Sequence, residues 1–201
     1  MNLQAYSRWV GLLAFCVLTI SGCGTTPSAK FYTLSPLNAA QTENPARPVD
    51  LPIGIGPVSF PEFLDRPQIV ARTSSNQLEV DEFHRWGGSL QEDFSRVLVQ
   101  NLSALLDTNR VHVYPSQEQL DLSYRVAIDV QQFDGRFGEG VTLNAVWTLL
   151  DEQKIEPLLV KRFQFTAPTP ASDYEALVAA HSEALAALSQ DIAAEMVRFA
   201  P

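Results

Sequence analysis

Residues 122–150, LSYRVAIDVQQFDGRFGEGVTLNAVWTLL, decide the fold. Apolar and polar side chains alternate along 122–133 and again along 141–150, and the glycine-rich segment 134–140 lies between them. Alternation with a period of two is typical of a strand with one buried face, and a short glycine-rich connection is typical of a hairpin turn. The sequence therefore predicts an antiparallel hairpin whose buried face carries Tyr124, Val126, Ile128, Val130, Val141, Leu143, Ala145, Trp147 and Leu149.

Six shorter segments also have the composition of strands. They are rich in β-branched, aromatic and other apolar residues, and Pro, Ser, Asn or Asp residues lie close to their ends. The segments are 30–34, 51–58, 69–73, 77–80, 111–114 and 158–165. Residues 74–76 are expected to form a turn between the third and fourth of these strands. Pro57 indicates that the second strand ends there or lies at a sheet edge.

Two segments carry the signals of helix N-termini. Ser89-Leu90-Gln91-Glu92 and Ser172-Asp173-Tyr174-Glu175 both match the capping box, in which Ser caps the helix and Glu reaches back to it. Apolar side chains then recur at helical spacing, which predicts helices over about 88–106 and 172–198. The order of the elements indicates an α+β domain, with a mainly antiparallel sheet and both helices packed on one face.

The first 22 residues have the features of a secretory signal. The apolar run Val10–Ile20 is too short to span a bilayer, which needs about 20 residues, but it fits the core of a signal peptide. Ile20-Ser21-Gly22-Cys23 follows directly and resembles the lipobox of bacterial lipoproteins. We therefore predict that residues 1–22 are removed and that Cys23 carries a diacylglycerol and an N-acyl chain. The alternative is an ordinary secretory signal with an incidental cysteine.

The predicted lipid anchor also predicts a location. Residues 23–29 would comprise the lipidated cysteine and a tether of six residues, about 20 Å long at full stretch, and residues 30–201 would form a single domain. Position 24 is Gly, not the Asp that marks inner-membrane retention in enteric bacteria. This points to the periplasmic face of the outer membrane, with the lipid as the only attachment to the bilayer.

Charge and cysteine content exclude several classes of function. Loss of Arg8 from the 14 basic residues leaves 13 against 23 acidic ones, a net charge of −10 for the predicted mature chain. Nucleic acids need a cationic surface, so they are disfavoured as partners. Cys16 leaves with the signal and Cys23 takes the lipid, so the mature domain is predicted to have no disulfide, no Cys-ligated zinc and no Cys nucleophile.

The motifs of the chain do not indicate catalysis, a metal site or a cofactor other than the covalent lipid. The glycines of 134–140 link two strands instead of opening a helix, so they do not fit a phosphate-binding loop. Ser89 lacks the G-x-S-x-G pattern of a hydrolase nucleophile and is explained by its capping role. The histidines lack metal-ligand spacing, and His181 is expected to be a hydrogen-bonded core or interface residue; they are His84, His112 and His181. We therefore predict that the protein is not an enzyme.

Two clusters of residues are candidates for contacts with a partner. Phe83, Arg85 and Trp86 precede the first helix, and a Trp beside an Arg near a loop has the composition of an interaction anchor. The alternative is that Trp86 packs against that helix. The second cluster poses the same choice between core packing and an exposed apolar rim, and it consists of Phe60, Phe63 and Leu64.

Several short motifs occur here in the order and spacing of a known family. They are the lipobox at Cys23; Phe31-Tyr32-Thr33-Leu34; Ile53-Gly54-Ile55-Gly56-Pro57-Val58 with Pro61 and Leu64-Asp65-Arg66-Pro67; Arg85-Trp86 ahead of Leu90, Phe94 and Asn101-Leu102; Tyr114-Pro115; and Phe133-Asp134-Gly135. A late helix completes the pattern. Over nearly the whole predicted mature chain, the sequence resembles the ABC-type transport auxiliary lipoproteins, also called the PqiC family.

The resemblance implies a non-enzymatic role in lipid transport across the envelope and in membrane integrity. Such lipoproteins work with MCE-domain proteins, PqiB-like ones among them, which form periplasmic tunnels for lipids or other apolar molecules. Some of these systems include an inner-membrane ABC permease, whereas the paraquat-inducible type uses a multi-spanning inner-membrane protein. A ring-shaped homo-oligomer would suit a docking subunit, because a ring can meet a tunnel coaxially. The alternative function is a stand-alone lipoprotein that stabilises the envelope or carries lipid.

Overall fold

The computed structural model describes residues 27–38, 49–116 and 120–199. The predicted signal peptide, Cys23 and residues 24–26 of the predicted tether lie outside the described residues. All the strands and both helices predicted from the sequence are present. The strands are β1 (Lys30–Tyr32), β2 (Ile53–Ser59), β3 (Gln68–Ser74), β4 (Gln77–Trp86), β5 (Val111–Val113), β6 (Tyr124–Arg136), β7 (Gly140–Asp151) and β8 (Glu156–Pro168). The helices are α1 (Leu90–Leu105) and α2 (Tyr174–Phe199), and a 3-10 turn spans Glu62–Leu64.

The hairpin predicted from residues 122–150 is the centre of the sheet. β6 and β7 pair antiparallel from Tyr124–Asp151 to Arg136–Gly140, and β8 continues the antiparallel ladder along the other edge of β7. One face of β7 is fully buried, while the alternate side chains on the opposite face are partly exposed. The buried side chains are Val141, Leu143, Ala145, Trp147 and Leu149, as the alternation predicts.

The remaining strands join the other edge of β6 and make the sheet mixed. β2 lies parallel to the first half of β6, and β5 lies parallel to β2. β3 meets the second half of β6 through the Ala71–Gly135 pair, and β4 and then β1 extend the sheet from there. The two longest ladders are antiparallel and the parallel ladders are short, which agrees with the predicted α+β class.

Pro57 neither ends β2 nor places it at an edge, so the sequence-based interpretation of this residue was wrong. β2 continues to Ser59 and lies between β5 and β6. The ladder shifts register between Ile55 and Val58, and a shift of this kind accommodates a residue that lacks an N–H. Gly56 precedes it with φ of +133°, and a Cβ there would lie 2.0 Å from the Tyr114 carbonyl oxygen. Glycine is therefore required at this close approach.

Both helices pack on one face of the sheet and against each other. α1 covers β2 and β5, and α2 covers β6, β7 and β8. Ser89 caps α1 as predicted, because its hydroxyl accepts a hydrogen bond from the Glu92 backbone N–H. The cap of α2 is Asp173 and not Ser172, because the Asp173 carboxylate accepts from the Ala176 N–H at 2.8 Å. A carboxylate here also interacts favourably with the positive end of the helix dipole.

The chain that follows β1 crosses the two helices as a strap, residues 33–37. Three backbone N–H groups of the strap donate to helix side chains: Leu34 to Asp93 (2.7 Å), Ser35 to Ser182 (3.0 Å) and Leu37 to Asn101 (2.8 Å). Asn101 is fully buried and also donates to the Ser189 hydroxyl of α2 at 3.0 Å. A polar residue on the apolar face of α1 is thus explained, because it joins the strap to both helices.

Candidate partner-binding surface

β4 carries a bulge that determines where the predicted contact residues lie. Between the Gln68–Arg85 and Val70–Val80 pairs, β3 advances two residues while β4 advances five. The three extra residues are stabilised locally, because the Asp81 carboxylate accepts a hydrogen bond from the Phe83 N–H at 2.6 Å. This contact holds the pKa of Asp81 below its ordinary value. The bulge leaves the Phe83 side chain 36% exposed.

Arg85 is held in place by its neighbours on the same face of the bulge. Its Nε donates to the Glu82 carbonyl at 2.9 Å, and its Nη2 lies 2.9 Å from the Glu82 carboxylate. Gln68 donates to the same carboxylate at 3.0 Å. Hydrogen bonds from Gln68 and Arg85 hold the pKa of Glu82 below its ordinary value. The guanidinium is therefore oriented, but Arg85 keeps part of its surface open to solvent.

The structure adds Phe31 to this surface. Phe31 of β1 is aligned with Arg85 in the parallel β1–β4 ladder and is 67% exposed. Phe83 lies two residues before Arg85. We call these three residues, Phe31, Phe83 and Arg85, the tether-side patch, because β1 follows the predicted tether directly. Aromatic rings beside an oriented arginine are a favoured composition for a protein interface.

Trp86 and Leu64 lie in the core. Trp86 is 5% exposed, and its ring meets the ring of His181 edge to face at 5.5 Å. Leu64, the last residue of the 3-10 turn, is buried in the same hydrophobic cluster. For Trp86 this placement favours packing, the alternative considered from the sequence. Because neither side chain has surface to offer, we remove both from the candidate contact residues.

Phe60 and Phe63 are half-buried and pack against the core. Phe60 lies edge-on to Phe94 of α1 at 5.2 Å and to Phe133 of β6 at 6.2 Å. Edge-to-face pairs of this kind stabilise a core beyond the area that they bury. We therefore assign Phe60 chiefly to packing between the sheet and α1.

A second aromatic cluster supports the tether-side patch from within. The Tyr174 ring at the start of α2 stacks on His84 of β4 with centroids 3.8 Å apart. Phe137 from the β6–β7 turn meets Tyr174 edge-on at 4.9 Å, and Tyr32 lies 5.9 Å from His84. Burial, together with the nearby charge of Asp81, raises the pKa of Tyr174 to about 12. The cluster therefore fixes β1, β4 and α2 relative to one another with a neutral Tyr174.

His181 is a buried, hydrogen-bonded core residue, as predicted. Its Nδ1 lies 2.8 Å from the Leu177 carbonyl, and its ring meets Phe133 edge to face at 4.7 Å. Burial holds the pKa of His181 below its ordinary value, because desolvation disfavours the charged imidazole.

Acid should therefore destabilise the protein through His181. Below about pH 6.5 the unfolded chain binds a proton at this residue more readily than the folded chain does, because the pKa of His181 is lowered on folding, so the free energy of unfolding falls as pH decreases. We expect a loss of about 1 kcal/mol between pH 7.5 and 5.5, measured by urea denaturation. His181→Gln should remove this dependence. An equal pH dependence in wild type and variant would contradict the assignment.

A surface cleft of about 750 Å³ lies beside the C-terminal end of α1. Seven of its nine lining residues are polar: Asp50, Gln100, Ser103, Asp107, Thr108, Asn109 and Arg110, with Val99 and Ala104 as the apolar ones. Binding sites for apolar molecules are lined mainly by hydrophobic and aromatic side chains. This cleft is therefore poorly suited to an acyl chain.

Within the three described ranges, His, Cys, Asp and Glu side chains form no group of three that could hold a metal ion. None of the helices described here is both long and apolar enough to cross a membrane.

The fold and this surface define a small α+β domain whose candidate functional residues lie beside its N-terminal strand. The chain belongs to the ABC-type transport auxiliary lipoprotein component family, whose sequence profile matches residues 32–193. It is therefore an envelope-associated transport lipoprotein, and the role of its family is auxiliary and non-catalytic.

Two curated relatives are named intermembrane transport lipoprotein PqiC, from Escherichia coli strain K12 and Shigella flexneri. Each is 23% identical over 190 residues, which cover 92% of this chain and 97% of the relative. Among solved structures, protein XCC0632 from Xanthomonas campestris has a TM-score of 0.67 at 18% identity, covering 84% of this chain and 95% of that one. An uncharacterized protein has the same TM-score at 20% identity, covering 85% and 99%. These structures support the fold.

Phe31 is a surface residue that the sequence analysis did not select. It is the middle residue of β1 and precedes Tyr32, whose ring joins the supporting aromatic cluster. Because neighbouring side chains in a strand point to opposite faces, the inward position of Tyr32 could have indicated an outward Phe31.

Proposed function

We propose that this protein is the outer-membrane docking subunit of an MCE-type envelope lipid transport system. In this proposal Cys23 carries diacylglycerol and an N-acyl chain and holds the domain on the periplasmic face. The partner is a PqiB-like MCE-domain protein that forms a periplasmic tunnel, energised at the inner membrane by an ABC permease or another multi-spanning protein. A ring-shaped homo-oligomer would receive the end of the tunnel and support membrane integrity.

The observation that carries the proposal is the family membership over residues 32–193. Relatives of nearly equal length carry the name of intermembrane transport lipoproteins, so the likeness covers the whole domain. The short predicted tether is consistent with it, because about 20 Å of chain keeps the domain close to its membrane.

The surface chemistry is also consistent with docking. The tether-side patch presents exposed Phe31 and Phe83 next to an arginine that is already oriented by Glu82. Aromatic and arginine side chains are enriched at protein interfaces relative to the rest of the surface. A surface of this kind would bind another protein with little loss of side-chain freedom.

The proposal predicts that the lipidated protein co-purifies with an MCE-domain protein of the same cell. Phe83→Ser should weaken that association about tenfold, because it removes an aromatic contact. Leu78→Ser is the matched control, since Leu78 lies on the same strand and is equally exposed, at 36%. Binding can be measured by titrating the detergent-solubilised lipoprotein with the purified MCE-domain protein.

One result would contradict the docking function, and another would contradict only the assignment of Phe83. Absence of any MCE-domain protein after crosslinking in intact cells would remove the docking function. Equal binding by Phe83→Ser, Leu78→Ser and wild type would leave docking intact but remove Phe83 from the contact surface.

A further inference from the structure

The contacts of β1 show which end of the sheet lies near the predicted tether. Lys30 begins β1, and Tyr32 of the same strand contacts Tyr174, which in turn meets Phe137 of the β6–β7 turn. The β6–β7 turn therefore lies at the tether end. β7 runs away from it for 12 residues. At about 3.3 Å per residue, the β7–β8 turn lies about 36 Å farther along the sheet.

The C-terminal end of α2 lies at this second end of the sheet as well. Tyr124 is paired with Asp151 at the end of β7, and its hydroxyl donates to the Phe199 carbonyl at 3.1 Å. α2 therefore ends beside the β7–β8 turn, at the end of the domain opposite the tether. We call residues 152–155 the distal turn.

The distal turn presents an isoleucine in an unfavourable conformation. Ile155 is 88% exposed and has φ of +57°. β-branched residues rarely adopt the left-handed region, because Cβ crowds the backbone there. A glycine or asparagine would adopt it at lower cost, and a polar side chain would suit the exposure. Strain of this kind is a recognised signature of functional positions.

The backbone around Ile155 is held in this conformation by Asp151. The Ile155 N–H donates to the Asp151 carbonyl at 2.8 Å. The Asp151 carboxylate accepts from the N–H groups of Gln153 and Lys154, each at 3.0 Å, and lies 3.0 Å from the Lys154 ammonium. The turn is therefore preorganised, so binding through Ile155 would lose little conformational entropy.

The charge of the turn and its distance from the tether indicate the class of partner. Three carboxylates, Asp151, Glu152 and Glu156, lie at the turn with two cations, because Lys154 pairs with Asp151 at 3.0 Å and Arg125 pairs with Glu152 at 2.5 Å. The segment therefore has no surplus of cations with which to bind anionic lipid headgroups. The turn also lies at the opposite end of the sheet, about 36 Å from the β6–β7 turn on the tether side. An exposed apolar side chain on a preorganised, ion-paired turn at the end of the sheet opposite the predicted anchor suits a protein partner.

We propose that Ile155 is an anchor residue that inserts into an apolar socket, with a polar or basic rim, on the MCE-domain partner. This inference rests on the proposed function and assigns its membrane-distal contact. It is separate from the tether-side patch, which lies at the other end of the domain.

The test uses the lipidated full-length protein in detergent, titrated with the purified MCE-domain protein. Ile155→Asn should weaken binding about tenfold and raise the Tm by about 3 °C, because asparagine adopts the left-handed region more readily. Ile155→Val keeps a β-branched apolar side chain and should retain binding. Val160→Thr is the control for general apolarity, since Val160 is 62% exposed on the regular part of β8 and should change neither quantity.

The outcomes distinguish the two proposals. Binding by wild type that Ile155→Asn leaves unchanged would overturn the anchor role while the docking function stands. Absence of binding by wild type would overturn the docking function itself. Parallel losses of Tm and binding in Ile155→Asn would assign the residue to fold stability and overturn the anchor role. If Ile155→Asn lost only self-association, measured by sedimentation, the socket would belong to a second copy of this chain. That result would also overturn the proposed contact with the MCE-domain partner.

Discussion

Trp86→Ala is expected to lower the free energy of unfolding by about 3–5 kcal/mol, the usual cost of truncating a buried large aromatic side chain. The indole is 5% exposed and packs edge-on against His181 of α2, and its backbone N–H donates to the Pro67 carbonyl at 2.7 Å. Removal of the ring would leave a cavity between β4 and α2. A loss of this size is a large fraction of the free energy of unfolding, since domains are commonly stable by only about 5–15 kcal/mol.

Urea denaturation followed by circular dichroism measures this loss, with Phe83→Ala as the matched control. Phe83 lies three residues earlier on the same strand, but it is partly exposed. We expect its truncation to cost less than about 1 kcal/mol. Similar losses in the two variants would contradict the distinction between a core Trp86 and a surface Phe83. A stable Trp86→Ala protein that failed only in partner binding would restore Trp86 as a contact residue.

Cys23→Ala should abolish lipid anchoring of the mature domain. Cys23 is the only cysteine that remains after the predicted cleavage, and the lipid chains on it would be the only strong membrane anchor. Each buried methylene contributes about 0.8 kcal/mol, so loss of two or more acyl chains cannot be offset by an acidic surface. We expect the variant to appear in the soluble periplasmic fraction or as uncleaved precursor, and transport function to be lost.

Cys16→Ala is the matched control, because Cys16 lies in the apolar run and not at the lipobox. It should be processed, lipidated and anchored like wild type, which mass spectrometry of the mature N-terminus can establish. Cleaved Cys23→Ala protein that stays attached to the membrane would refute the lipid anchor. Full transport function from a soluble periplasmic form would show that anchoring is dispensable.

The centre of the fold was predictable because one physical pattern determined it. Alternation is regular along β7 and holds along β6 as far as Val130, where the ladder shifts register, and one face of the hairpin is covered by α2. A slip of one residue would expose that whole face, so the pattern determined strand type and burial together. Both helices were predictable for a similar reason, since capping signals and helical spacing agree.

The candidate surface was predictable only in part, because tertiary pairing determines it. The sequence pattern ended the fourth strand at Val80, but pairing with Gln68 and β1 extends it to Trp86. The bulge that separates exposed Phe83 from buried Trp86 depends on three residues that have no counterpart in β3. A pattern of apolar and polar residues does not encode such an insertion. The strained Ile155 escaped notice because φ is not visible in a sequence.

The strap gives the domain a mechanical property. In the proposed system, force between the tunnel and the outer membrane enters the domain through Cys23 and is first transmitted to β1. β1 is short and lies at an edge, but the strap behind it is fastened to Asp93, Asn101 and Ser182 on both helices. A pull that detached β1 would next meet these three hydrogen bonds, because the strap follows β1 directly. The domain should therefore resist extension at its N-terminus much better than a three-residue strand alone would allow.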